Sequence, residues 1–357
     1  MTIETFYQTF SSDCTASSGN QLLYRGAAPC LHTGRVAYRL AHGGSSYALL
    51  FSNQVDSTFS DGTISKANDI GGIWKIRSMR VGLTDSWDAE PGAWQTVTFE
   101  GRPAKTVSGA EVFCTDPILL SACAGQYLCY EITLFGSCFP YHEEMVLNVR
   151  KQAADGTWYP DKAIPVPLMI GSDRSVTRRI GFIGDSITQG CGTESESYTH
   201  WAAKIAEGLP ASCSVWNLGI GYARGYDAAT DRGWLARAKT CDTVNICFGV
   251  NDLLRGRSAE EVLCDLHTIV CALKAVGCQT ILFTVPPFDM TGEAKEHWYL
   301  VNDAIRSGAI PEADQLFDSA AVLGQPAPNT HRTVYGGHPN AEGCAVLAAA
   351  YLKQKLL

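Results

Sequence analysis

No run of about 18 apolar residues occurs in the 357-residue chain, so nothing in it reads as a bilayer-spanning helix. Charge is sparse at 18% of residues and leans acidic, leaving a net −8. A surface of that sign argues against nucleic acid and against an anionic membrane as partners. The start, Met1-Thr-Ile-Glu-Thr-Phe6, has neither the basic end nor the apolar middle of a signal peptide. The fourteen cysteines include no C-x-x-C, which removes the commonest zinc and redox spacing. Nor is this a short chain of the kind that disulfides hold together. Cys247, Cys264 and Cys271 sit among apolar neighbours, where cysteine behaves as a small hydrophobe. These absences lead us to expect a cytoplasmic protein, secreted only if a leader has been removed, with no metal and no cofactor. There is no convincing internal repeat.

What the chain does contain is 46% hydrophobic residues, 34 glycines and 15 prolines, enough for two domains with their own cores. The first half has a two-residue rhythm broken by turn signals. Arg35–Leu40, Tyr47–Phe51, Trp74–Gly82, Trp94–Phe99, Tyr127–Phe135 and Glu144–Arg150 read as strands, separated by Gly43-Gly44, Asp61-Gly62, Gly71-Gly72 and Asp155-Gly156. Many strands without intervening helices predict an antiparallel, jelly-roll-like β-sandwich over residues 1–170. Trp74, Trp87 and Trp94 read as core or sheet-face residues. The polar stretches Val55-Asp-Ser-Thr58 and Gly62-Thr-Ile-Ser65 read as solvated loops. The prolines between Pro160 and Arg179, with Gly171-Ser-Asp173 as a turn, put the hand-over between about 165 and 178.

From residue 178 onward strands alternate with helices. The strands are Ile180–Ile183, Ser214–Asn217, Thr243–Phe248, Thr280–Val285 and Gln315–Phe317. Helical stretches cover 198–209, 259–276, 295–305 and 341–355. Ser258-Ala-Glu-Glu261 is a capping box, and behind it Val262, Leu266, Ile269, Val270 and Leu273 form one apolar stripe. Such alternation predicts a parallel sheet covered on both faces, an α/β domain over 178–357.

Four short blocks fall at element ends of this domain, where open α/β sheets keep their ligand sites. Gly184-Asp185-Ser186 follows the first strand and Asn217-Leu-Gly-Ile-Gly221 the second. Gly249-Val-Asn251-Asp252 follows the third, and Gly336-Gly-His338-Pro-Asn340 precedes the last helix. Taken singly, each reads as a turn. Taken together, Ser186 provides a nucleophile and His338 a base of suitable pKa. Asn251 and the backbone of the Gly219–Tyr222 loop provide donors for a developing oxyanion.

These blocks resemble, in order, those of the SGNH (GDSL-type) hydrolase family, a resemblance covering roughly residues 179–357. It implies a flavodoxin-like three-layer α/β/α fold and esterase or lipase chemistry without a cofactor. By that resemblance Ser186 is the nucleophile and His338 the base, and the oxyanion donors are the Ser186 N–H, the Gly221 region and Asn251. The preceding sandwich is similar in architecture to that of some carbohydrate esterases. A serine esterase acting on short acyl groups of a small-molecule or oligosaccharide ester is therefore expected, with an acyltransferase or thioesterase, or a non-catalytic carbohydrate-binding protein, as alternatives. Two positions depart from the family pattern. Tyr335 stands where Asp-x-x-His has its aspartate, so either a backbone carbonyl or another acid such as Asp318 must orient His338. Tyr222 follows Gly221 where a small residue is usual, which shifts the identity of the oxyanion N–H by up to one position. Asp185 reads as a supporting residue.

Overall fold

The computed structural model describes residues 1–56, 69–230 and 233–357, and these divide into two compact units, Met1–Val176 and Thr177–Leu357. The turn at Asp61-Gly62, the end of the Val55–Thr58 loop and the Gly62–Ser65 loop lie outside the described residues. No described helix is long and apolar enough to cross a membrane.

The first unit is built from two antiparallel sheets. One orders its strands Ser11–Ser12, Met169–Ser172, Gly43–Ser52 and Val112–Cys114, with Ile118–Cys123 also paired to Gly43–Ser52. The other runs Trp158–Pro160, Arg150–Gln152, Leu22–Arg39, Tyr127–Tyr141, Trp74–Thr84 and Gln95–Thr96, with Lys105–Val107 also on Trp74–Thr84. The alternation in the sequence is the cause: Leu128, Tyr130, Ile132 and Leu134 of one strand are all fully buried. The inner faces meet through aromatic rings, Phe51 edge-on to Tyr130 at 6.4 Å and Trp74 to Phe113 at 6.2 Å. Trp74 is core, its indole N–H bonded to Asn53 at 2.9 Å. Trp87 and Trp94 are half-buried on the sheet face under the guanidiniums of Arg150 and Arg80.

Three local expectations are corrected here. Gly171 is not in a turn: Met169–Ser172 is a strand paired on both sides. The glycine is there because a Cβ would lie 2.8 Å from Cβ of Phe10. Between Glu144 and Arg150 only Arg150 enters a strand. The Glu144 N–H donates instead to the Gln21 side chain at 3.1 Å, while Met145 and Leu147 bury their side chains without a ladder. Of Trp94–Phe99 only Gln95–Thr96 pairs as a strand. An unanticipated helix, Ile3–Thr9, opens the chain, capped by the Thr2 hydroxyl.

In the second unit five parallel strands are ordered Cys213–Gly219, Arg178–Gly184, Thr243–Cys247, Gln279–Phe283, Gln315–Phe317. Numbered along the chain this is 2-1-3-4-5, the flavodoxin-like order, whose switch point flanks the first strand. Trp201, Ile205, Leu347 and Tyr351 from helices Trp201–Glu207 and Ala341–Gln354 cluster with Ile180, Phe182 and Phe283 of the sheet. The Tyr351 hydroxyl donates to Asn245 inside that layer at 2.7 Å. The Ser258 capping box forms as read, and all five stripe residues of helix Ala259–Lys274 are buried. Cys247 is buried, whereas Cys264 is exposed and Cys271 half-buried. The hydrophobe reading fails for that pair because positions 264 and 271 lie off the apolar stripe, toward solvent.

Candidate active site

The switch point gathers the blocks. Ser186 opens a short helix, Ser186–Gln189, directly after the first strand, and the Asp185 carboxylate caps it by accepting the Ile187 N–H at 2.9 Å. Burial, with the nearby Asp252 charge, pushes the Asp185 carboxyl up to about 7 against the Ile187 N–H and its own backbone N–H. The Ser186 Oγ lies 2.8 Å from Nε2 of His338, although the two are 152 positions apart. Both are buried at 9% exposure, enough to shield their hydrogen bond while leaving an opening.

His338 Nδ1 donates to the backbone carbonyl of Tyr335 at 2.8 Å. The hairpin that makes this possible runs through Gly336 and Gly337, at φ +74° and +102°, a conformation side chains other than glycine rarely adopt. The family's aspartate position is thus used, but through its main-chain oxygen. Phe288 stands edge-on to the imidazole at 4.9 Å and the Tyr335 ring lies at 4.8 Å. A side chain at Gly336 would strike Phe288 at 2.7 Å, so the glycines also allow that packing. Burial holds the His338 pKa below its ordinary 6.5, opposed by the Tyr335 carbonyl.

The Asp318 carboxylate is engaged away from His338. It caps helix Ser319–Leu323 through the Ala321 N–H at 3.0 Å, accepts from Thr284 at 3.0 Å and pairs with Arg306 at 2.8 Å. Burial acts to raise its carboxyl, but these partners, Arg306 first, hold it below the usual range. All of its bonds are structural.

Asn251 sits in helix Val250–Leu254 and donates through Nδ2 to the Ala223 carbonyl at 3.1 Å. That bond joins the third-strand loop to the loop after the second strand. The same loop is tied to the nucleophile segment by the Ile220 N–H on the Gly184 carbonyl at 3.0 Å. The Asn217 amide adds a bond to the Thr188 carbonyl, also at 3.0 Å. A Cβ on Gly219 would fall 2.3 Å from the Gln189 backbone nitrogen, so this glycine serves close approach to the nucleophile helix. Gly221 is buried in the loop, and Tyr222 after it takes φ +62° with its ring partly in solvent.

Three contributors were not singled out from the sequence. Asp252 accepts the Gly225 and Tyr226 N–H groups at 2.8 and 3.3 Å, anchoring the chain just after the Gly219–Tyr222 loop. Burial, opposed by these donors, pushes its carboxyl up to about 6. Its presence in the Asn251 block was the available signal. Phe288, packed on His338, follows Pro286-Pro287 and carried no signal of its own. Cys191, its Sγ 3.1 Å from the Tyr335 hydroxyl, ties the turn after the nucleophile helix to the histidine hairpin.

Residues 182–346 match the GDSL-like Lipase/Acylhydrolase family. No curated protein matches the chain. Among solved structures it is similar to an acetylxylan esterase from Geobacillus stearothermophilus, at 20% identity over 50% of this chain and 94% of that one, TM-score 0.40. It is also similar to a member of the lipolytic protein G-D-S-L family from Veillonella parvula DSM 2008, at 19% identity over 49% and 96%, TM-score 0.40. A third likeness is an alpha/beta hydrolase from the metagenome of Lake Arreo, Spain, at 22% identity over 50% and 95%, TM-score 0.39. The match covers nearly all of the second unit, so it is this unit, and not the sandwich before it, that is similar to the GDSL-like Lipase/Acylhydrolase family.

Proposed function

We propose that the protein is a serine esterase that removes short acyl groups, acetyl above all, from carbohydrate esters through an acyl-enzyme on Ser186. The observation that carries this reading is the 2.8 Å contact between Ser186 Oγ and His338 Nε2, with Nδ1 held on a carbonyl. The Nδ1–H···O=C bond leaves the Nε2 lone pair facing the hydroxyl, the tautomer a general base needs. Burial keeps the imidazole neutral at neutral pH.

In the first step His338 Nε2 takes the hydroxyl proton as Ser186 Oγ bonds to the ester carbon. The carbonyl electrons move onto oxygen, where the Ser186 N–H, the Gly221 region and the Asn251 amide are the candidate donors. Collapse expels the alcohol, which receives the proton from Nε2. Water then attacks the acyl-enzyme by the same route and frees the acid. A carbonyl orients the ring as an aspartate does but supplies only a partial charge to the imidazolium. The clamp of Phe288 and Tyr335 rings adds positional restraint. The preference for short acyl groups on a carbohydrate rests on the antiparallel sandwich that precedes the α/β unit.

Ser186→Ala is expected to cut turnover of p-nitrophenyl acetate by at least about 1,000-fold. Unchanged turnover in that variant would end the assignment. A panel of acetylated sugars set against longer acyl esters tests the substrate class. Partition of the acyl group between water and an added sugar tests hydrolysis against transfer.

A further inference from the structure

Helix Ala259–Lys274 carries two metal-ligating side chains on its outer face, His267 and Cys271, one turn apart. Glu312, from the segment before strand Gln315–Phe317, reaches the same spot. The Nε2 of His267 lies 3.4 Å from Cys271 Sγ and 3.2 Å from a Glu312 carboxylate oxygen, and all three ligand atoms fall within 4.8 Å of one another. Sulfur and carboxylate therefore converge on one ring nitrogen. That nitrogen has a single proton or a single lone pair, so it can serve both neighbours only through a shared and weaker three-centre hydrogen bond. The same convergence rules out a thiol–imidazole–carboxylate relay, which needs the two ring nitrogens to face different partners.

A cation resolves the arrangement. Around tetrahedral zinc, with bonds of about 2.0–2.3 Å to nitrogen, oxygen and sulfur, neighbouring ligand atoms stand roughly 3.3–3.6 Å apart. The two measured separations are close to that spacing. The segment bearing Glu312 is also fixed in place: two residues on, Asp314 pairs with Lys274 of the same helix and accepts the Thr280 N–H at 2.7 Å. The third ligand is thus held against the helix by bonds that do not involve the site.

We propose that His267, Cys271 and Glu312 form a surface site for a borderline divalent cation, zinc above all, with water in the fourth position. Sulfur and imidazole donors favour such an ion over calcium or magnesium. Binding deprotonates the Cys271 thiol and releases its proton to solvent. The site uses none of Ser186, Asn251 or His338.

The test is a titration of the full-length, reduced, metal-free protein with Zn²⁺ against a chromophoric chelator, paired with absorption spectra of the Co²⁺ adduct. Wild type should take up one ion more tightly than Cys271→Ser or His267→Ala, by at least about tenfold, with Glu312→Gln weakened less. The Co²⁺ adduct should show a near-ultraviolet thiolate-to-metal band that Cys271→Ser lacks. Cys264→Ser, exposed on the same helix, should behave as wild type. Equal titrations for wild type and Cys271→Ser would overturn the proposal. So would a cobalt band that survives Cys271→Ser or disappears in Cys264→Ser. Should Cys271→Ser fail to fold, His267→Ala and Glu312→Gln decide: wild-type affinity in both overturns the site.

Discussion

His142 in the sandwich and His338 in the α/β unit are both buried, and burial lowers both pKa values. His142 is fully enclosed and pushed down to about 3, with the Lys162 charge adding to burial. Among the described residues neither of its ring nitrogens has a hydrogen-bond partner. His338 has both nitrogens engaged, one by a carbonyl and one by a hydroxyl, at 2.8 Å each. Burial by itself only makes an imidazole neutral. Two directional partners at a sheet edge fix its tautomer and point its lone pair at something that can react.

Exchanging the two histidines for apolar residues should separate these roles most sharply. His338→Ala should lower kcat for p-nitrophenyl acetate by about 1,000-fold or more, while His142→Leu leaves kcat within twofold. Comparable losses in both variants would break the contrast. The next largest effect is expected at Asn251. Its replacement by alanine should reduce kcat about 100- to 1,000-fold with little change in KM, the pattern of a donor felt mainly in the transition state. A rise in KM with kcat preserved would assign the amide to substrate binding.

Acid titration sharpens the comparison further. The folded-state pKa of His142 is depressed, so the unfolded chain binds the proton that the folded one refuses. Stability tied to this residue is complete above about 6.5 and is lost as pH falls toward 3. His142→Leu should therefore lessen acid destabilisation, by up to about 5 kcal/mol across that window by urea unfolding. A variant whose pH dependence matches wild type would show the ring to be better solvated than its burial implies. For His338 the same direction of shift is read in kinetics: the acid limb of kcat/KM should fall below pH 6.5, because the base stays neutral until then. An acid limb above 6.5 would mean that a carboxylate, not a carbonyl, faces the imidazole. The smallest effect is expected from Tyr335→Phe, within about threefold in kcat, since the contact to His338 Nδ1 comes from the main chain. A loss as deep as that of His338→Ala would give the phenol a chemical role.

The α/β unit was more legible than the sandwich. Capping boxes, apolar stripes and Gly-punctuated strand ends are local patterns, and helix Ala259–Lys274 buries every residue its stripe named. The sandwich depends on pairing between distant segments, so Glu144–Asn148 has strand-like residues but bonds through Gln21 instead. At Gly171 the sequence showed a glycine, but not that Phe10 was the reason for it. The cysteines divide the same way: Cys247 follows its apolar strand inward, while Cys264 and Cys271 follow the polar side of their helix outward.

Residue order along the chain was enough to settle the strand–helix alternation and to single out Ser186, Asn251 and His338, because short-range periodicity and turn chemistry act between near neighbours. What completes the histidine's partners was decided only in three dimensions. Asp318 and the Tyr335 carbonyl were both available by composition. The two left-handed glycines turned the carbonyl onto Nδ1, and Arg306 with the Ala321 N–H claimed the carboxylate. A hydrogen bond is granted by position in space, and that position is set by the packing of segments far apart in the chain.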